Sequence, residues 1–81
     1  MPSGTAALSP WSTAVAAQIR AERAAAGLTQ VQMFTRAGLT KTTYLRIERG
    51  TTPADVSQLG AITRALEMTL GTFIARAEQR L

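Results

Sequence analysis

The stretch AGLTKTTYLRIERG, residues 37–50, places a short helical segment between two glycines. Gly38 lets the chain turn with a positive φ, and Gly50 can end the helix in the same left-handed conformation. Thr40 is a natural N-cap, because its hydroxyl can accept a hydrogen bond from the first turn. The stretch therefore predicts a helix that begins after Thr40 and ends at Gly50.

The two sides of this helix differ in chemistry. At helical spacing, Tyr44 and Ile47 share one side, which predicts that they belong to the core. The other side is mostly polar and cationic; it carries Lys41, Thr42, Leu45, Arg46 and Arg49. A helix buried on all sides has no use for such residues at its entry, so this side is expected to face a partner.

Two helices are predicted before this one. The first spans about residues 12–26 and stops at Gly27, a good left-handed residue. The second begins immediately afterwards, where Thr29 and Gln32 have the spacing of a capping box, and it ends at Gly38. A short helix, a tight glycine turn and a helix with a cationic entry are typical of a helix-turn-helix.

Two more helices are predicted after the loop TTPAD, capped by Asp55 and Thr69. No alternating β-branched stretches are present, so the fold class is all-α, a compact five-helix domain whose second and third helices form the helix-turn-helix. We expect residues 1–11 to be a flexible tail, which Trp11 could pin to the domain, and residues 12–81 to form the helix-turn-helix domain.

Composition narrows the function. The chain has no cysteine, no histidine and five carboxylates, so it lacks the usual nucleophiles, general bases and transition-metal ligands; we expect no enzyme activity, no cofactor and no metal. A net charge of +4 favours a polyanionic partner, nucleic acid or an anionic membrane surface, although a merely soluble basic protein is the plain alternative. No apolar run approaches the roughly 20 residues of a membrane span, and no signal peptide is recognisable, so a cytoplasmic location is expected.

Residues 19–70 resemble the Cro and lambda-repressor-type helix-turn-helix family, often called the XRE family. The resemblance lies in the order and spacing of six pieces, which are IR..R at 19–23, GLTQ at 27–30, AGLT at 37–40, Y.RIERG at 44–50, proline at 53 and L..I..AL at 59–66. It implies a lambda-repressor-like domain that binds double-stranded DNA. The sequence departs from the pattern in two respects: Phe34 stands where the family has a small alanine, and an acidic residue by which some relatives contact RNA polymerase is missing at Val31 and Gln32.

Candidate contacts follow from side-chain chemistry and from the resemblance. Lys and Arg match the acceptors of guanine, and Thr can hydrogen-bond or offer its methyl to thymine, so Lys41, Thr42 and Arg46 are the expected base contacts. The resemblance adds Thr43 as a base or phosphate contact, although a hydroxyl near a helix start often only satisfies the backbone. Thr29 and Gln30 at the start of the second helix can donate to a phosphate, and for Thr29 a purely capping role is equally open. The resemblance supports Gln30 and implies further phosphate contacts from Arg49, Thr51 and Thr52. Glu48 is expected to be an ion-pair partner of Arg20 or Arg23.

The functional hypothesis is a sequence-specific transcriptional repressor of phage or bacterial type, for example a phage immunity or Cro-like regulator or a restriction-modification controller. The alternative is an antitoxin-like protein-interaction module with autoregulatory DNA binding. A homodimer on a near-palindromic operator is expected, since one recognition helix reads few base pairs. The expected dimer surface is the fifth helix with Leu70, Phe73, Ile74, Ala77 and Leu81, unless that surface covers the core; the tail around Trp11 is the other option.

Overall fold

A computed structural model describes residues 9–81 of the chain and contains five helices with no strand in that range. The helices are α1 (Pro10–Ala25), α2 (Gln30–Ala37), α3 (Lys41–Arg49), α4 (Val56–Ala65) and α5 (Leu70–Glu78). Helix α1 packs on α3 and α5, and α2 packs on α3 and α4. The all-α architecture with a helix-turn-helix formed by the second and third helices is confirmed.

Each helix begins at a side chain that accepts a hydrogen bond from the backbone of its first turn. Four of these N-caps are the predicted ones, Thr29, Thr40, Asp55 and Thr69. The fifth is Ser9, which caps α1, and Pro10 occupies the first turn, where a missing N–H costs nothing. Helix α1 therefore starts two residues earlier than expected and includes Trp11, while residues 1–8 of the expected tail lie outside the described range.

Two predicted glycine turns have the backbone that they were predicted to need. Gly38 ends α2 with a φ of 69°, and Gly50 ends α3 with a φ of 80°. A side chain at Gly50 would also approach Ala16 of α1, whose Cβ lies 3.4 Å from an ideal Cβ at that position. Both glycines are thus required by backbone conformation, and they fix the length of α3.

The core is built from one or two large side chains of every helix. The largest fully buried ones are Tyr44, Phe73, Ile19, Met33, Ile47 and Ile62. Burying a side chain of this size stabilises the fold by about 1.5–3 kcal/mol. The expectation that Tyr44 and Ile47 belong to the core is confirmed.

Phe34 lies half-buried between the two helices of the helix-turn-helix. Its ring centroid is 6.3 Å from that of Tyr44, and the two ring planes are tilted by 49°. Tilted aromatic pairs at this separation are favourable beyond the area that they bury. The phenyl group that replaces a small residue is therefore used as packing between α2 and α3.

The fifth helix requires a correction. Phe73 and Ala77 have no exposed surface, because they face α1 and the core. They cannot contact a second copy in a folded dimer, so this part of the expected dimer surface is wrong. Leu70 and Ile74 are half-buried against the core, and Leu81 is 57% exposed. Whether these three contact a second copy stays a prediction.

Candidate nucleic-acid interface

Helix α3 has a buried side and an outward ridge. Successive residues turn by about 100° around a helix, so Thr42, Arg46 and Arg49 lie opposite the buried Tyr44 and Ile47. All three outward residues are exposed, as is Lys41 at the start of the helix. Thr43 and Leu45 are half-buried at the two edges of this ridge. The structure thus brings three of the four expected base contacts to the exposed surface of one helix and sets Thr43 at its edge.

Capping at the start of α3 is performed by Thr40 rather than by Thr43. The hydroxyl of Thr40 accepts from the Thr43 N–H at 3.2 Å. The Thr40 hydroxyl therefore already satisfies the backbone at the start of the helix, which was the structural role considered for the Thr43 hydroxyl. Leu45, which the residue chemistry of DNA contacts did not single out, is an apolar side chain on the margin of the same ridge.

The segment after α3 folds back on the last turn of that helix. The N–H groups of Thr51 and Thr52 both donate to the Arg46 carbonyl, and the Thr51 hydroxyl donates to the same oxygen at 3.1 Å. Thr51 and Thr52 are both exposed. The Thr51 hydroxyl would have to give up its hydrogen bond to the Arg46 carbonyl before it could donate to a phosphate. Within residues 9–81, the Thr52 hydroxyl has no such bond to give up.

The start of α2 carries a complete capping box. The Gln32 N–H donates to the Thr29 hydroxyl at 3.0 Å, and the Thr29 N–H donates to the Gln32 side chain at 2.9 Å. The Thr29 hydroxyl is thus engaged as a cap. Gln30 is the first residue of the helix, and its exposed side chain turns towards α3, where its Nε2 donates to Glu48.

Glu48 is a buried carboxylate that joins three helices, and only 3% of its side chain is exposed. Its Oε1 accepts from Arg23 Nε of α1 at 2.6 Å and from the Tyr44 hydroxyl at 2.9 Å, while Oε2 accepts from Gln30 Nε2 at 2.5 Å. The expected ion pair is confirmed for Arg23. Arg20 instead donates to the Glu48 main-chain carbonyl. No buried side-chain polar atom lacks a hydrogen-bond partner within residues 9–81.

The surroundings of Glu48 stabilise its charged form. Burial by itself raises the pKa of this carboxyl, but the hydrogen bonds from Gln30, Arg23 and Tyr44 outweigh burial and bring the net pKa below its usual value. Burial and the hydrogen bond to Glu48 both raise the pKa of the Tyr44 hydroxyl, which therefore remains a donor. The network consists of an ionised acceptor surrounded by donors.

The exposed charges of the helix-turn-helix are all positive. Glu48 is the only carboxylate between residues 27 and 50, and it is buried and paired with Arg23. The other ion pair in the described part of the chain joins Arg76 to Glu22, outside this motif. The cations without a carboxylate partner in the described range include Arg36, Lys41, Arg46 and Arg49. Exposed cations that have no carboxylate partner attract a polyanion.

Other kinds of site find little support in residues 9–81. No group of three or more acidic, cysteine or histidine side chains in that range could hold a metal ion. No helix there is long and apolar enough to cross a membrane.

Comparison with known proteins agrees with this geometry. The model of a family described as "Helix-turn-helix domain" matches residues 14–72, most of the chain. No curated protein and no solved structure gave a match. The matched region runs from the middle of α1 into α5 and includes the whole cationic ridge. The chain belongs to this helix-turn-helix family, which is typical of XRE-like DNA-binding regulators.

Proposed function

We propose that the protein is a sequence-specific transcriptional repressor that reads the major groove of double-stranded DNA with α3. The observation that carries this proposal is the outward ridge of α3, where Thr42, Arg46 and Arg49 stand beside Lys41 with no exposed carboxylate in the motif. An α-helix fits the major groove, and guanidinium, ammonium and hydroxyl groups match the acceptors on base edges.

Contacts to the DNA backbone are assigned to the residues that flank the ridge. Gln30 at the start of α2 and Arg49, Thr51 and Thr52 at the end of α3 lie on either side of the base-reading residues along the chain. Thr29 contributes through the cap that fixes the start of α2. Contacts to phosphates set the position and orientation of the protein, and base contacts set the sequence.

The start of α2 supports repression over activation. Val31 is 61% exposed, and the Gln32 side chain is engaged in the capping box, so the first turn of α2 presents no acidic group to a polymerase. A regulator that lacks this acidic contact to polymerase would act by covering the promoter. Phage immunity or Cro-like regulation of this kind places the protein in the cytoplasm, on the nucleoid.

Replacing Arg46 with alanine is expected to weaken binding to the cognate site by about 1–3 kcal/mol and to relax the base preference at one position. The reason is that Arg46 stands at the centre of the outward ridge and has an unpaired guanidinium. Sites selected from random duplex DNA by the wild type and by the variant provide the measurement. Gln30→Ala is the matched control, since loss of a phosphate contact weakens binding to all sequences alike. An unchanged sequence preference in Arg46→Ala would show that Arg46 does not read a base.

The working form is proposed to be a homodimer on a near-palindromic operator, because one recognition helix reads too few base pairs for useful discrimination in a genome. Two copies would place their α3 helices about 34–36 Å apart. The exposed apolar residues available for this contact are Trp11 of α1 and Leu81, which lies beyond the end of α5, beside the half-buried Leu70 and Ile74.

Sedimentation equilibrium with and without operator DNA measures the oligomeric state directly. We expect two protein chains for each operator duplex and a concentration-dependent dimer in free solution. A protein that stays monomeric and binds a non-repeated site at one-to-one stoichiometry would contradict the dimer.

An antitoxin-like interaction module with autoregulatory DNA binding is the second candidate. It is favoured by apolar side chains that stay exposed outside α3, with Trp11 at 40% and Val56 at 72%. A protein partner could cover them. A toxin gene next to the gene of this protein would favour this candidate, and a divergent phage regulator gene would favour the repressor.

A further inference from the structure

The side-chain amide of Gln30 is held in one orientation by the buried carboxylate of Glu48. Its Nε2 lies 2.5 Å from Glu48 Oε2, and the other carboxylate oxygen already accepts from Arg23 and Tyr44. An ionised carboxylate only accepts hydrogen bonds, so the nitrogen of the amide must face it. The reverse orientation would place the amide oxygen of Gln30 against the Oε2 carboxylate oxygen of Glu48.

An amide nitrogen carries two hydrogens, and the carboxylate engages one of them. Gln30 itself is exposed, at the first position of α2. The second N–H is therefore left for a group outside the protein. On the proposed function, this group is a phosphate oxygen of the DNA backbone.

We propose that Glu48 is a positioning residue of the DNA interface, which holds the Gln30 amide so that its second N–H meets a DNA phosphate. The inference rests on the proposed function and adds to it a role for a residue that is itself shielded from DNA. A free glutamine side chain loses several rotatable angles when it binds a phosphate. A glutamine that is already fixed by Glu48 has lost them during folding, so its phosphate contact is stronger.

Arg23 keeps this arrangement from repelling DNA. A bare carboxylate behind Gln30 would disfavour a nearby phosphate, but Arg23 Nε lies 2.6 Å from Glu48 and neutralises it. Arg23 is in turn fixed by a second bond, from its NH1 to the Leu28 carbonyl at 3.0 Å. Helix α1 therefore supports the DNA contact of α2 through a residue of α3.

The test is a thermodynamic cycle that removes Gln30 with and without its positioning network. The network is replaced by apolar groups of similar shape in the triple variant Arg23→Met, Tyr44→Phe, Glu48→Met, because buried ion pairs replaced in full commonly leave a folded protein. Gln30→Ala is then introduced into the wild type and into the triple variant. Operator affinity is measured for all four proteins, so any general effect of the triple change cancels within its own pair.

In the wild type, Gln30→Ala is expected to weaken operator binding about tenfold, the value of one charge-assisted hydrogen bond. In the triple variant the same change is expected to have less than about a twofold effect, since an unpositioned glutamine contributes little. Arg49→Ala is the matched control and should weaken binding equally in both backgrounds. An equal effect of Gln30→Ala in the two backgrounds would overturn the inference.

A second measurement needs no variant of the network. In the free wild-type protein, NMR relaxation of the Gln30 side-chain amide should show a rigid group, and one of its two amide protons should shift on addition of operator DNA. A mobile amide in the free protein overturns the inference even if DNA binding is specific. Failure of the wild type to bind any duplex selected from random DNA overturns the proposed function instead, while the relaxation of the free protein still reports on the Glu48 contact.

Discussion

Replacing Glu48 with alanine is expected to lower the free energy of unfolding by about 3–5 kcal/mol, the usual cost of removing one partner of a buried ion pair. Three side-chain donors, from Arg23, Gln30 and Tyr44, converge on this carboxylate. Alanine leaves the Arg23 charge and the buried Tyr44 hydroxyl without their acceptor. A small domain has little stability in reserve, so a loss of this size is a large part of its total stability.

The pH dependence of this effect has a defined sign. The folded pKa of Glu48 lies below the value of 4.5 taken for the unfolded chain. The stabilisation from its charged form is therefore fully present above about pH 4.5 and is lost as the pH falls through the lower, folded pKa. The difference in stability between the wild type and Glu48→Ala should accordingly be constant near neutral pH and shrink in acid. Urea unfolding from pH 7 to pH 3 measures it.

The ion pair between Arg76 and Glu22 provides the matched control. Its N–O distance of 2.7 Å is close to that of the Arg23 pair, but the Arg76 side chain is 54% exposed. An exposed pair is worth about 0–1 kcal/mol, so Arg76→Ala should cost no more than that. Equal losses in the free energy of unfolding for Glu48→Ala and Arg76→Ala would mean that burial does not set the strength of these ion pairs.

The features predictable from sequence are those set within a few residues. Thr29 and Thr40 cap helices because their hydroxyls reach N–H groups three residues on, and Gly38 and Gly50 end helices because their φ is positive. The sequence also contains a signal for the start of α1, since a serine followed by proline, as at Ser9, is typical of an N-cap. Serine and proline are equally typical of loops, which is why these residues were assigned to the tail, although α1 begins at Pro10.

Contacts between distant residues could be predicted only in part. The charges of Glu48 and Arg23 suggested an ion pair, because a carboxylate among cations needs a partner. The bond from Gln30 to the same carboxylate joins residues 18 positions apart, on two helices whose crossing angle decides whether they meet. No pattern of neighbouring residues in the sequence determines the crossing angle of these two helices. The ridge of α3 was predictable because one helix defines it.

The surface of α5 shows the same division. Helical spacing identified an apolar side on α5, but it could not say whether that side meets its own core or a second copy. The packing of α5 on α1 decides the matter for Phe73 and Ala77, which lie in the core. A small domain needs all the apolar surface that it can bury, so the core has first claim on such a side.

Replacing Phe73 with alanine is expected to lower the free energy of unfolding by about 3–5 kcal/mol, the cost of emptying a buried phenyl site. The ring is fully buried, with the apolar residues of α1, α3 and α4 in the same cluster. The loss should appear in the monomer and should not depend on protein concentration, because the cavity forms inside one chain. If Phe73 lay at a dimer contact, the destabilisation caused by its loss would instead depend on protein concentration.

Urea melts at two protein concentrations a hundredfold apart separate these outcomes. Leu81→Ala is the matched control, since Leu81 is apolar, follows shortly after the end of α5 and is 57% exposed. In a monomer it should change stability by no more than about 0.5 kcal/mol. If Phe73→Ala left stability unchanged at low concentration and lowered it only at high concentration, the ring would be a dimer contact and the placement of α5 against its own core would be wrong. If only Leu81→Ala showed the concentration dependence, the exposed segment after α5 would be the surface that a second copy covers.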